Sequence, residues 1–89
     1  MNTFFLEQII PTLLKSTAKI KFGLPIKAFT KLTIYSPLGD EIRRLVDSDL
    51  NAGYHEIDFN TSKLPSGTYI CRIQSGDFIA MKKFVLINY

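Results

Sequence analysis

Three turn-forming blocks, Tyr35-Ser-Pro-Leu-Gly39, Asn51-Ala-Gly-Tyr-His55 and Leu64-Pro-Ser-Gly-Thr-Tyr69, punctuate this chain, and apolar and polar residues alternate between them. Alternation at a period of two sends successive side chains to opposite faces of an extended strand, so each such run hides one face only. Strands of that kind become stable when two sheets pack their apolar faces together. The pattern therefore predicts an all-β fold, an immunoglobulin-like antiparallel β-sandwich of about seven strands. With 89 residues, 46% of them apolar, the chain has material for one core and not for a second domain.

Residues 17–24 set Ile20, Phe22 and Leu24 against Lys19, Lys21 and Gly23, one buried face and one wet one. Residues 29–35 place Leu32 and Ile34 inward, and Pro37-Leu-Gly39 then reverses the chain into a second arm, 41–46, whose Arg43 and Arg44 suit a charged edge. The polar stretch 47–53 reads as a loop with room for one helical turn. Residues 54–59 form the next strand, with Ile57 and Phe59 inward and Glu56 and Asp58 in water. Residues 60–67 cross between sheets over Leu64, and 68–74 return with Tyr69, Cys71 and Ile73 on one side. After the Ser75-Gly-Asp77 turn, residues 78–87 are apolar on both faces, which predicts a central or partly covered strand. Helix is expected nowhere except within 5–15, where Pro11 argues against it.

The net charge of +3 is spread over Lys15, Lys19, Lys21, Lys27, Lys31, Lys63, Lys82 and Lys83 with no interleaved aromatic platform, which argues against nucleic-acid binding. The lone Cys71 has no internal disulfide partner, so packing and sheet hydrogen bonds carry the stability. No apolar run reaches the roughly 20 residues that span a bilayer. The amino terminus has no basic start, carries Glu7 and is broken by Pro11, and so makes a poor export signal.

Reactive chemistry finds little support. His55 is the only histidine, and no cysteine pair joins it as a metal-ligand set. Ser66 lies between Pro65 and Gly67, where a hydroxyl caps backbone groups, and the strained G-x-S-x-G elbow of a nucleophile is absent. Gly39, Gly53, Gly67 and Gly76 are spaced as turn glycines, too far apart to cradle phosphate. Asp47 and Asp49 are the closest acidic pair, without a third ligand at regular spacing for calcium. No catalytic residue, metal or cofactor is expected.

The ordered series Ile20-Lys-Phe, Lys31-Leu-Thr-Ile-Tyr, Leu38-Gly, Leu50-Asn-Ala-Gly-Tyr-His-Glu-Ile, Leu64-Pro-Ser-Gly-Thr-Tyr, Gly76-Asp-Phe and Lys82-Lys resembles the C-terminal sorting domain of type IX secretion cargo. The resemblance covers nearly the whole chain. It implies a non-enzymatic signal at the end of a longer exported precursor, with an upstream cargo domain. Its implied partners are the outer-membrane secretion machinery and a surface sortase, and its implied location is the exterior or the cell surface. Terminal-strand residues Lys82 and Lys83 and turn residues Gly53, Pro65, Ser66 and Gly67 are the expected recognition set. An immunoglobulin-like adhesion or spacer module binding protein or carbohydrate is the alternative.

One segment departs from the family. Members begin with a phrase like FLEQNYPNPFNPSTTIKF, whereas Phe5-Leu-Glu-Gln8 is followed here by Ile9-Ile-Pro-Thr-Leu-Leu-Lys15. Codons for NYPNPF read one base out of frame give IIPTLL, and we hypothesise a local frame disturbance; encoding DNA with no neighbouring frame that restores the prolines would remove the idea. The expected division is a weakly packed segment 1–15 and a sandwich 16–89.

Overall fold

The computed structural model describes residues 3–11 and 16–87. Its described elements are β1 (Phe5–Leu6), β2 (Thr17–Leu24), β3 (Ala28–Tyr35), β4 (Glu41–Leu50), β5 (Gly53–Asn60), β6 (Gly67–Ser75) and β7 (Phe78–Leu86). They form two antiparallel sheets, β1-β2-β5 and β4-β3-β6-β7, packed as the predicted sandwich. The chain changes sheets after β2, after β4 and after β5.

The alternation in sequence becomes the core directly. Ile20, Phe22 and Leu24 of β2, Leu32 and Ile34 of β3, Phe59 of β5, Tyr69, Cys71 and Ile73 of β6, and Phe84 and Leu86 of β7 are all buried between the sheets. Leu6 and Ile9 join them at 6% and 3% exposure. Weak packing through residue 15 therefore does not describe residues 6 and 9, because β1 pairs with Gly23 and Phe22 of β2 and carries Leu6 over the core. Positions 12–15 lie outside the described residues.

Three strand assignments differ from the sequence reading, the first being β1, a short strand where none was expected. Residues 47–50 continue β4 instead of opening a loop: Asp47, Ser48, Asp49 and Leu50 pair with Lys31, Thr30, Phe29 and Ala28. Their polar side chains carry no periodic signal, so only the β3 partner reveals the strand. The last difference is at β7: of the two placements expected, the central one is lost, since β7 is an edge strand with β6 as its described neighbour, partly covered by Phe4 and Gln8.

Local chemistry closes the turns. Ser36 and Gly39 are joined by a backbone bond of 3.0 Å across Pro37 and Leu38, and Gly39 then takes φ +94°. Gly76 takes φ +57° at the first of the two residues joining β6 to β7, the conformation that a two-residue hairpin of matching twist demands. The buried hydroxyls of Thr30 and Ser75 satisfy each other at 2.8 Å. Among the described residues no buried side-chain polar atom lacks a partner.

Candidate recognition surface

The residues with the most reactive potential are all engaged structurally. His55 stacks on Phe22 at 5.3 Å between ring centres, and its Nε2 lies 2.8 Å from the Asn51 carbonyl, an acceptor that places the proton on Nε2. Burial pushes the Cys71 thiol up to about 12, so it is a small core residue and a poor nucleophile. Asp47 and Glu41 are taken by Arg44 at 3.0 and 2.9 Å. On the other sheet Tyr54 donates to Glu56 at 3.0 Å and Lys19 sits 3.2 Å from the same carboxylate. These two contacts, the Tyr54 hydrogen bond first, hold Glu56 below the usual carboxylate range. Tyr54 itself is pushed up to about 12, by loss of surrounding water and then by Glu56. No group of three or more His, Cys, Asp or Glu side chains gathers among the described residues. No helix among the described residues is long and apolar enough to cross a membrane.

What the fold does build is shape. Tyr69, near the start of β6, donates its hydroxyl to the carbonyl of Pro65 at 2.6 Å. A tyrosine that bonds back to the backbone a few residues upstream, at the crossing between sheets, is the tyrosine corner of immunoglobulin-like sandwiches. That bond explains the Leu64-Pro-Ser-Gly-Thr-Tyr69 block. Leu64 packs against the core, Pro65 stiffens the crossing, and Gly67 opens β6 opposite Leu86 of β7. A shallow depression of about 310 Å³ lies against this corner, between Pro37, Ile42 and Pro65–Tyr69.

The expected recognition residues separate in space. Pro65, Ser66 and Gly67 lie at the end of the sandwich where β7 finishes. Gly53 pairs with Leu24 at the far end of β5, about 23 Å away along a strand of eight residues. Its φ of +126° and the empty space around it show a glycine required by backbone conformation and not by close packing. Lys82 and Lys83 point to opposite faces of β7: Lys82 shares the inward parity of Phe84 and Leu86, while Lys83 stands outward with Ile79, Met81 and Val85. One flat partner therefore cannot read both side chains from the same face.

Sequence reasoning missed this outward row. Ile79, Met81 and Val85 are 54%, 60% and 59% exposed. Beside them a depression of about 350 Å³ is lined by Tyr35, Pro37, Ile70, Arg72 and Met81. The signal was present as an apolar residue at nearly every outward position, but the same pattern also describes a strand covered on both faces.

Over residues 8–88 the chain matches the family model of the secretion system C-terminal sorting domain. It belongs to that family. No curated protein matches the chain. The sorting domain is a C-terminal signal for type IX secretion, so its partners are the type IX machinery and the cargo of a longer precursor, which is secreted or held at the cell surface. The family is one of sorting signals and is not known as a family of enzymes. A surface made of turns and a regular strand edge, with its reactive groups used up in packing, suits a domain that is read by a partner.

Proposed function

We propose that the secretion machinery reads this sorting domain as a folded surface centred on the carboxyl-terminal half of β7, with Lys83 and the Pro65-Ser66-Gly67 corner as the contacts, and that a surface sortase then removes the domain from its cargo. The observation that carries this reading is the pairing of Gly67 with Leu86, which sets the corner at the end of the same strand that presents Lys83 outward. Lys82 faces the other side of β7 and flanks the contact, and Gly53 serves backbone geometry at the opposite end.

The test fuses the whole chain, residues 1–89, to the end of an exported reporter in a type IX-competent bacterium, with and without its sortase. Residues 5–9 belong in the fusion because Leu6 and Ile9 are core residues. Export with loss of the tag only when the sortase is present supports both steps. Export of uncleaved reporter in the sortase-positive strain removes the cleavage step. Retention of the reporter removes the sorting role and favours an adhesion or spacer module.

A further inference from the structure

The edge of β7 away from β6, with which no described strand pairs, has a definite hydrogen-bonding polarity. Ser75 and Phe78 flank a two-residue turn, so they exchange backbone bonds, and every second residue onward (Ala80, Lys82, Phe84) turns its N–H and C=O toward β6. Ile79, Met81, Lys83 and Val85 must then direct theirs away from the sheet. An independent contact agrees: the side-chain amide of Gln8 donates to the Lys83 carbonyl at 2.7 Å, from outside the ladder. The residues that offer backbone groups at the edge are thus the same ones whose side chains form the exposed outward row. Nothing interrupts their register along the nine residues of the strand.

A second copy of β7 is a poor occupant. Full antiparallel overlap of Phe78–Leu86 with itself is centred on Lys82 and sets that lysine against its own mate. The register centred one residue on does the same to Lys83, and the one centred one residue back, on Met81, sets Lys83 against Ile79 and Lys82 against Ala80, so that neither charge gains an opposite partner. Like charges directly opposite each other destabilise a strand pair, whereas an opposite charge stabilises it.

We infer that β7 is a strand-addition site: it accepts an extended segment of a partner protein, apolar at alternate positions, whose central carboxylate stands opposite Lys83. Main-chain bonds to Ile79, Met81, Lys83 and Val85 supply affinity, and the apolar outward row and Lys83 supply selection. Gln8 is a latch that the incoming strand displaces. This inference rests on the sorting role proposed above and specifies how the terminal strand is read.

Two short synthetic peptides test it, one of alternating valine and threonine with a central glutamate, the other its central-lysine twin, titrated against the whole chain and followed by fluorescence anisotropy. The glutamate peptide is expected to bind at least about tenfold more tightly than its twin. Lys83→Glu should reverse that preference without disturbing the fold, since the side chain is exposed. Met81→Pro removes an edge N–H while sparing the ladder to β6, and should weaken both peptides about tenfold; circular dichroism checks that it folds. Gln8→Ala should tighten binding. Equal affinity for the two peptides, an unchanged preference in Lys83→Glu, or a dimer held through β7 in sedimentation overturns the inference. In the reporter assay, export of both wild type and Lys83→Glu overturns the strand-addition site and leaves the sorting role standing. Retention of the wild type overturns the sorting role itself.

Discussion

The two edges of the four-stranded sheet are finished in opposite ways. In β4 the register against β3 slips twice, so that Leu45 and Ile42 are extra residues with no direct partner; both side chains pack against the core. Such bulges bend a strand and spoil its edge as a template for pairing. Arg44, bridging Glu41 and Asp47, covers its outer face with charge, and Arg43 reaches across to the Asn60 carbonyl at 3.1 Å and over the Phe59 ring at 5.2 Å. Across the sheet, β7 runs nine residues in unbroken register, its outward row apolar apart from Lys83. It meets the first sheet's side through its packing against β1, through Phe84 and Leu86 in the shared core, through the Gln8 bond and through a stack of Phe4 on Phe78 at 5.0 Å. A small sandwich must protect both edges from non-specific pairing. Here one is closed by geometry, and the other keeps a regular register with two lysines near its middle and one edge carbonyl held by Gln8.

The contrast requires the regular edge to be firmly anchored from beneath and the bulged one loosely. Phe84→Ala removes a buried ring stacked on Tyr69 at 5.8 Å and is expected to cost about 3–5 kcal/mol in urea unfolding. The corresponding change in β4, Val46→Ala at a half-buried position, should cost about 1 kcal/mol. Equal losses would break the comparison. Next in size, Tyr69→Phe deletes the corner hydroxyl and should lower stability by about 1 kcal/mol while the peptide still docks on β7. A loss of docking would tie the corner to the edge more closely than the geometry suggests. Arg44→Ala should shift the unfolding curve too little to resolve, because its ion pairs are solvent-exposed and screened; a clear shift would mean that charge, and not the bulges, closes the β4 edge.

The smallest expected effect lies on the opposite sheet and serves as a control. Glu56 is held below its ordinary value of 4.5, so its contribution is complete above that pH and fades as pH falls through the lowered folded value. Glu56→Gln should remove this slight acid sensitivity from the thermal midpoint. Peptide docking on β7 should be indifferent to the substitution.

The crossing at 64–69 was legible in the sequence because it is local: Leu64, Pro65 and Gly67 lie within four residues, and their turn chemistry needs no distant partner, whereas the bond from the Tyr69 hydroxyl to the Pro65 carbonyl was not read there. Strand β2 was equally legible, since strict alternation from Thr17 to Leu24 assigns each side chain a face. The end of β4 was not, because Asp47, Ser48 and Asp49 are held extended by pairing with β3 and not by any pattern of their own.

Period and turn chemistry thus determined, from the sequence alone, the six longer strands, most of the side chains that face the core and most of the places where the chain reverses, while β1 with Leu6 and Ile9 and the end of β4 escaped them. Only the tertiary structure decided the order of strands within the sheets, and with it that β7 lies at an edge, that Lys82 and Lys83 serve different faces of it, and that Gly53 is remote from Pro65–Gly67. The reason is physical. Alternation fixes on which side of its own strand a side chain stands, but a neighbouring strand is chosen by hydrogen bonds between distant segments, and a residue apolar on both parities looks the same whether covered by protein or left for a partner.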